Sequence, residues 1–462
     1  MLTEWDLLDN LSTLEVSKPK FNILSLARTA KFVLRDKDKL DRLLKKLCHW
    51  NDSLDKLTSR VDQESFRRRL RTRFSTSDPG QLWQLELAAA FLDHPDLQSM
   101  ANARRLVEQG YQTERSWESV PPKLDPPSDF LLEYTDFAWH GIPYRTEHNR
   151  ATAIYRGEPV IVDWRCCRDD AWRKEHPAAF RLRTESLAKI LNSDLRSLEL
   201  SVLHCVGYLD QSSNVTGYAF RPPPKTLAGQ KPTTLHEILG RAKRPQDIPD
   251  LGERFKLARA LVSTVFEIHN LGWMHKNMNP KNILFWPKIE VETEFDLSKP
   301  YLVGFDIARL YGPGEMSEKP VSGTGEELYR HPEYKGNDPR GFVPSFDMYS
   351  LGIILFEIGM WRTVDSQGRH QAKRPGASRP LLTTHASDPS DPRFIETVIM
   401  GSSVMDLTRF MGIRYRDAVK ACLSRRLDSL WESTETNVEA QLPVYLDAVQ
   451  NQIVDPLATC NA

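Results

Sequence analysis

The part of the chain that most constrains the fold begins at Gly252, where a helical pattern leads into a polar loop and then into an apolar segment. The apolar side chains of the helical pattern recur at steps of four, four and three residues: Leu257, Leu261, Val265 and Ile268. This periodicity predicts a helix with one buried face. The next residues, HNLGWMHKNMNPKNILF at 269–285, combine a helix end, polar residues with one proline, and an apolar end. We therefore expect a helix, a polar loop and a strand in this order.

The segment at 269–285 resembles the catalytic loop of protein kinases, H-R-D-L-K-P-x-N followed by apolar residues. Three further segments follow in the order that this family has. YLVGFDIAR at 301–309 resembles the metal-binding D-F-G strand, YRHPEY at 329–334 the A-P-E end of the activation segment, and SFDMYSLGIILFEI at 345–358 the buried helix of the large lobe. The resemblance implies an α+β fold of the protein-kinase-like type, with a small β-rich N-lobe and a large helical C-lobe, preceded by a small all-α domain.

The chain has 462 residues, which is too long for one ordinary core. We expect a helical domain at 1–111, a proline-rich linker at 112–130 and a kinase-like domain at 131–455. The N-lobe would span about 131–230 and the C-lobe about 231–455, with a mobile, proline- and serine-rich insertion at 362–393.

Local patterns predict elements within these domains. The predicted helices are 37–57, 81–92, 97–109 with Gly110 as a stop signal, and 185–191. The predicted strands are 153–165, 200–209 and 215–220, where apolar and β-branched residues are dense.

The catalytic loop is degenerate at the positions that perform the chemistry. His275 is retained, and Lys276 replaces the neighbouring arginine. The resemblance places Asn277 at the catalytic aspartate, where an amide cannot accept a proton at neutral pH. Asn279 replaces the lysine that contacts phosphate, and Asn282 matches the asparagine that holds a metal ion. No catalytic residue is therefore expected to be intact.

The metal motif is also altered, because Gly304 stands at the position of the D-F-G aspartate. Asp306 lies two residues later, and in a strand it would face the same side about 6 to 7 Å further along. Asn282 and Asp306 are thus the candidate metal ligands. The resemblance implies ATP and Mg²⁺ as cofactors only if nucleotide binding is retained.

The groups that would hold the nucleotide phosphates are replaced as well. The lysine of the third strand should lie in VIVDWR at 160–165, where alternation leaves Asp163 and Arg165 as candidates. Arg165 is the candidate phosphate contact. Glu185 is the candidate helix acid and could pair with Arg165. The segment 144–157 has one glycine where the phosphate-covering loop would have three.

Two acids that hold the large lobe together in the family are retained. The resemblance implies that Glu333 pairs with an arginine late in the lobe, with Arg425 and Arg426 as candidates, and that Asp347 caps the backbone of the catalytic loop. Structural acids are kept while catalytic acids are lost. The sequence therefore predicts a pseudokinase that acts as an intracellular signalling scaffold or switch with protein partners. A divergent ATP-binding Ser/Thr-type protein kinase is the alternative.

Residues 32–57 resemble the later helices of the HeLo domain, a helical module of fungal cell-death and prion-associated proteins. The short, acid-containing start at 2–16 predicts a truncated module. A membrane-active effector of the fungal incompatibility type is therefore a further alternative. The basic run Arg67, Arg68, Arg69, Arg71 and Arg73 could contact an anionic membrane, or it could be a solvated helix face balanced by nearby acids.

The charge balance and the cysteines limit the class of protein. Lys plus Arg and Asp plus Glu each number 62, so the net charge is zero, which argues against nucleic acid as the main partner. The six cysteines form no C-x-x-C pair, and no apolar run reaches the ~20 residues of a membrane-spanning helix. We expect a cytoplasmic location.

Overall fold

A computed structural model of the chain describes residues 45–46, 49–50, 79–91, 95–116, 129–141, 150–166, 177–193, 200–212, 215–226, 230–242, 244–288, 294–311, 326–335, 341–364, 404–431 and 438–461. The chain divides into two compact units, Met1–Leu70 and Arg71–Ala462. In the first unit, the described residues Lys45, Lys46, His49 and Trp50 are helical. The basic run at 67–73, most of the predicted linker and most of the predicted insertion lie outside the described residues.

The second unit begins with two helices, α1 (Pro79–Phe91) and α2 (Pro95–Ser116). The helix predicted to stop at Gly110 runs on to Ser116, so the glycine does not end it. The two helices were expected to form a separate domain with the residues before them. Instead, Leu82, Met100 and Val107 belong to the same buried cluster as the kinase-like lobes, because their apolar faces pack onto that core. The division between Leu70 and Arg71 thus differs from the boundary that we predicted at residue 111.

The small lobe is a five-stranded antiparallel sheet with one helix. Its strands are β1 (Phe137–Trp139), β2 (Arg150–Tyr155), β3 (Glu158–Cys166), β4 (Cys205–Ser212) and β5 (Val215–Phe220), in the order β1-β2-β3-β5-β4. The predicted strand at 153–165 is a hairpin of two strands, turning at Arg156 and Gly157, which both have positive φ. Helix α3 (Pro177–Asn192) lies against this sheet and contains the predicted helix at 185–191.

The large lobe is mainly helical. Its helices are α4 (Leu235–Arg241), α5 (Leu251–Asn270), α6 (Pro344–Met360), α7 (Val404–Leu423), α8 (Val438–Val449) and α9 (Asp455–Ala458). Short strands surround the polar loop: β6 (Thr233–Thr234), β7 (Trp273–Met274), β8 (Ile283–Phe285), β9 (Tyr301–Leu302) and β10 (Arg309–Leu310). The predicted order of helix, polar loop and strand corresponds to α5, residues 275–282 and β8.

Helix α6 fixes the centre of the large lobe. Sixteen of its 17 residues, from Pro344 to Gly359, are buried, so the helix packs on all sides, as expected for a core helix. Two glycines of α6 let a neighbouring helix approach closely. A Cβ at Gly352 would lie 2.7 Å from the Cβ of Cys422, and one at Gly359 would lie 2.4 Å from the side chain of Leu407. Both neighbours belong to α7. The fold is a kinase-like one, with a sheet-containing small lobe and a helical large lobe.

Candidate functional site

The carboxylate of Asp347, in the first turn of α6, binds the start of the polar loop at 275–282. Asp347 accepts the backbone N–H of His275 at 2.7 Å and that of Lys276 at 2.8 Å. Lys276 has φ +65°, and its ammonium lies 5.8 Å from the centre of the Phe342 ring. Asp347 therefore occupies the capping position that the resemblance implied.

His275 fixes the first turn of the loop. Its Nδ1 accepts the N–H of Asn277 at 3.2 Å, while its Nε2 lies 3.0 Å from the carbonyl oxygen of Val303. Since one ring nitrogen accepts and the other faces a carbonyl, the ring is neutral with its proton on Nε2. Burial lowers the pKa of His275 to about 4, which agrees with this assignment. His275 thus positions the loop and is not a proton donor at neutral pH.

Three asparagines form a hydrogen-bond network inside the loop. The amide of Asn279 donates to the side-chain oxygen of Asn277 at 3.0 Å and accepts the N–H of Lys281 at 3.0 Å. The amide nitrogen of Asn282 donates to the backbone oxygen of Asn277 at 2.8 Å. The loop is therefore organised by its own amides.

Asn277, at the position of the catalytic acid, uses both ends of its amide. Its oxygen accepts from Asn279, and its nitrogen donates to Asp306 Oδ1 at 3.3 Å. A carboxylate here would face the carboxylate of Asp306, and like charges at this separation repel. The asparagine is thus adapted to the carboxylate opposite it.

From the sequence we placed Asp306 on the same side as residue 304 by assuming a strand, but Asp306 does not lie in one. Gly304 has φ +84° and starts a short 3₁₀ turn over Phe305–Ile307, so the geometry of an extended chain does not apply. A Cβ at Gly304 would lie 2.4 Å from the amide nitrogen of Asn282. The side chain of Asn282 therefore fills the space into which a side chain at residue 304 would project.

The sequence reasoning missed Arg150, on β2, which is central to the site. Its guanidinium donates to the backbone oxygen of Lys281 at 2.8 Å and to the side-chain oxygen of Asn282. Its Nε lies 3.0 Å from Asp163 Oδ1, and the two side chains are only 9% and 11% exposed. The positively charged guanidinium of Arg150 thus binds the asparagine side chain that was expected to hold a metal ion.

Asp163, on β3, links the small lobe to the loop that contains Gly304. Its Oδ2 accepts the N–H of Gly304 at 2.8 Å, while Oδ1 faces Arg150. Of the two candidates for the third-strand lysine position, Asp163 is the one that the structure places at this site. The side chain of Arg165 lies outside the described residues.

Glu185, the candidate helix acid on α3, lies 2.5 Å from Lys189 Nζ, one turn further along the same helix. This local contact is geometrically natural because residues four apart are neighbours on a helix. The pairing of Glu185 with Arg165 stays a prediction, since the side chain of Arg165 lies outside the described residues.

The remaining predicted pair lies at the far end of the large lobe. Arg425 Nη1 is 3.9 Å from Glu333 Oε1, and the arginine side chain is 67% exposed. The neighbouring His331 makes a more buried contact, since its Nε2 lies 3.1 Å from Asp428 Oδ2 and its ring stacks on Phe346.

The arrangement does not fit a nucleotide with its metal ion. The oxygen of Asn282 is occupied by a guanidinium, and Asp306 is engaged by Asn277. Among the described residues, no group of three His, Cys, Asp or Glu side chains is arranged to hold a metal. A cleft between the lobes is lined in part by Thr152, Pro222 and Trp286. Pro222 is followed by two further prolines, so three consecutive residues there have no N–H to donate to a ligand.

No helix in the described ranges combines the length and the apolar character needed to cross a membrane.

Comparison with known proteins gives two separate matches. The family model for HeLo, described as prion-inhibition and propagation, matches residues 3–82 and so ends within α1. Over 149 residues, 31% of this chain, the sequence is 26% identical to human eIF-2-alpha kinase GCN2. It is 33% identical over 106 residues to rat eukaryotic translation initiation factor 2-alpha kinase 1, and 33% identical over 101 residues to rice calcium-dependent protein kinase 22, each match covering 22% of this chain.

The chain matches 8%, 17% and 15% of the length of these three relatives. Together with the fold and the ordered motifs, these matches identify a protein-kinase-like protein with an N-terminal HeLo segment.

Proposed function

We propose that this protein is a pseudokinase, a kinase-like protein that has lost phosphoryl transfer and acts as a signalling scaffold or switch. The observation that carries the proposal is the position of Arg150, whose guanidinium binds the side chain of Asn282 and pairs with Asp163. Phosphoryl transfer requires carboxylates on the metal ions and on the acceptor hydroxyl, and a cation on the phosphates. Here an arginine occupies the metal-binding amide, and an aspartate stands on the strand that should supply the cation.

The substitutions at the two motifs fit one another, because the residue at each altered position is accommodated by a neighbouring residue of the site. Asn277 bonds to Asp306 through an N–H that a carboxylate lacks, and Gly304 leaves space for Asn282. A single reversion therefore meets a conflict: an aspartate at 277 faces Asp306, and an aspartate at 304 collides with Asn282. We expect that no single substitution restores transfer.

The test is a pair of measurements on the purified full chain with ATP and either Mg²⁺ or Mn²⁺. The first is the melting temperature, because a ligand at 100 times its dissociation constant stabilises the folded state by about 2.7 kcal/mol. The second is transfer of labelled phosphate to the chain itself and to eIF-2-alpha, the substrate named for two of the relatives. We expect neither a shift nor transfer.

Transfer that is abolished by Asn282→Ala or Asp306→Ala would refute the proposal and support the divergent kinase. A melting shift without transfer would indicate a nucleotide-binding pseudokinase. Arg150→Ala is the informative variant here, because it frees the amide of Asn282 without adding a carboxylate. A shift that appears only in Arg150→Ala would identify the guanidinium as the group that excludes nucleotide.

A second candidate function rests on the HeLo match at residues 3–82. On this view the protein is a membrane-active effector of the cell-death type, and the arginines at 67–73 contact anionic lipid. Flotation on anionic liposomes at low salt, with the full chain and with the five arginines changed to glutamine, tests it. Failure of the full chain to float would remove this candidate and leave the first proposal unaffected.

A further inference from the structure

Helix α1 exposes three large apolar side chains on one face. Trp83 is 53% exposed, Leu87 50% and Phe91 79%. They are spaced four residues apart, so they form one stripe along the helix, which we call the α1 stripe. The stripe spans two turns, about 12 Å at the rise of an α-helix.

The other side of α1 is already occupied. Leu82 and Ala89 are buried in the core of the second unit, at 0% and 6% exposure. Glu86 is the single charged residue of the helix, and its Oε2 lies 3.0 Å from Arg105 Nε on α2. The α1 stripe therefore carries no charge.

The absence of charge in α1 limits the kind of partner that the stripe fits. A strongly acidic or basic protein surface would find no complementary charge on this helix, and an anionic membrane is recognised by helices with Lys or Arg beside the apolar face. A second copy of the same helix meets no electrostatic repulsion and is equally apolar. We propose that the α1 stripe is a self-association surface, through which two copies of this chain form a two-fold symmetric dimer.

The spacing of the stripe fits this symmetry. In a two-fold interface, residue i of one copy contacts residue j of the other, and j contacts i. With α1 antiparallel to its counterpart, Leu87 lies on the axis and meets Leu87 of the second copy. Trp83 then meets Phe91 at both ends, because 83 and 91 are equidistant from 87. The pairing thus places aromatic against aromatic and aliphatic against aliphatic.

The exposed area predicts a reversible dimer. Aromatic side chains bury roughly 150 to 250 Å² each, so the exposed parts of the three side chains amount to roughly 350 Å² per copy. The stripe alone would bury about 700 Å² in the pair, which is in the range of transient interfaces. We therefore expect a weak, reversible monomer–dimer equilibrium and not a permanent dimer, because interfaces of about 1,600 Å² already begin at micromolar affinity.

The test uses sedimentation velocity of the full chain from about 1 to about 300 micromolar, because interfaces of twice this area already begin at micromolar affinity. The wild type should shift from monomer to dimer. Leu87→Glu and Leu87→Lys should each remain monomeric, because like charges would meet on the axis. A one-to-one mixture of the two variants should dimerise again, because opposite charges then meet. Since both variants are needed for this recovery, misfolding cannot produce it.

Phe410→Glu is the matched control, because Phe410 on α7 is also 53% exposed and lies outside the stripe. Its dimerisation should equal that of the wild type. A wild type that stays monomeric over the whole range would overturn the proposal, whatever else covers the stripe. A dimer that survives Leu87→Glu, or one that Phe410→Glu abolishes equally, would overturn it as well.

Discussion

Arg150 and Asp163 form a buried ion pair between neighbouring strands, with 3.0 Å between Nε and Oδ1. The register of β2 against β3 places these two residues directly opposite each other. Each also reaches the large lobe, Arg150 through Lys281 and Asn282, and Asp163 through the N–H of Gly304. The pair therefore connects the small lobe to the polar loop at 275–282 and to Gly304.

Removing one partner of this pair should be costly. In Asp163→Asn the amide oxygen can still accept from Gly304, but the charge of Arg150 loses its counter-ion in a site that is 9% exposed. Breaking a buried pair in this way destabilises proteins by about 3 to 5 kcal/mol. Urea unfolding should show a loss of this order for Asp163→Asn and for Arg150→Met.

The double variant Arg150→Met, Asp163→Asn should lose clearly less unfolding free energy than the sum of the two single variants. The reason is that no unpaired charge remains buried when both side chains are replaced. The exposed pair Lys288 and Glu294, also 3.0 Å apart, is the control, and Lys288→Met should not change the midpoint measurably. Strictly additive losses at Arg150 and Asp163 would mean that the two charges do not interact.

Gly304→Ala should be destabilising for two separate reasons. The residue has φ +84°, which costs an L-residue about 1 to 2 kcal/mol, and the new methyl group would lie 2.4 Å from the amide of Asn282. Overpacking adds about 1 to 3 kcal/mol. We expect a loss of about 2 to 5 kcal/mol on thermal or urea unfolding.

Gly157→Ala separates the two causes, because Gly157 has φ +85° but nothing within 4 Å of an added Cβ. It should show the backbone cost alone. In the Asn282→Ala background, Gly304→Ala should cost less than it does in the wild type, because the close contact is then removed. If Gly304→Ala is no worse than Gly157→Ala, Asn282 does not occupy the space that we assign to it.

The helix before the kinase-like lobes touches the start of the catalytic loop. Arg104 on α2 donates from Nη1 to the backbone oxygen of Leu271 at 2.8 Å, and a Cβ at Gly272 would lie 2.2 Å from the same nitrogen. A hydrogen bond from a charged group contributes about 1.5 to 3 kcal/mol. We expect Arg104→Met to lower hydrogen-exchange protection at residues 271–273.

Arg105→Met is the matched control on the next residue of α2, because Arg105 bonds to Glu86 on α1 and not to the large lobe. It should leave the protection at 271–273 unchanged. Equal protection in both variants would show that α2 does not hold this segment.

Motif residues in the large lobe could be placed from the sequence, because their positions depend on local spacing. The order of helix, polar loop and strand follows from segments only a few residues long. The contact of Asp347 with the loop, 72 residues away, was implied by the resemblance of its short motif to the family. Asp306 could not be placed in the same way. We had considered Gly304 only as the loss of a carboxylate, and its left-handed conformation, which ends the extended chain, was not apparent.

Arg150 could not be found from the sequence for a different reason. It is a single arginine on a strand, 132 residues away from Asn282, and no local pattern distinguishes it from a surface residue. The hydrogen bond between Arg150 and Asn282 depends on the register of β2 in the sheet and on how closely the two lobes approach each other. By contrast, the contact between Glu185 and Lys189 is an i, i+4 pair, which local spacing alone indicates.

The last prediction concerns Glu357, a buried acid in α6. Its Oε1 accepts from the hydroxyl of Tyr329 at 2.7 Å and from the N–H of Val364 at 2.8 Å. Burial raises the pKa of this carboxyl from 4.5 to about 8. Between these values the folded state holds a proton that the unfolded state has released, so the folded state becomes less stable as pH rises.

His275 acts in the opposite direction, because burial lowers its pKa from 6.5 to about 4 and its contribution to stability is lost as pH falls through that interval. From pH 4.5 to 6.5 the two slopes cancel, and from 6.5 to 8 only that of Glu357 remains. The wild type should therefore be nearly constant in stability from pH 4.5 to 6.5 and lose stability above pH 6.5. Urea midpoints measured across this range give the profile.

Glu357→Gln keeps the accepting oxygen and removes the titration. Its stability should rise with pH from about 4.5 to 6.5, where the slope of His275 is no longer cancelled, and should stay level up to pH 8. At pH 8 the variant should be more stable than the wild type. A variant whose profile runs parallel to that of the wild type would show that Glu357 does not hold its proton in the folded state.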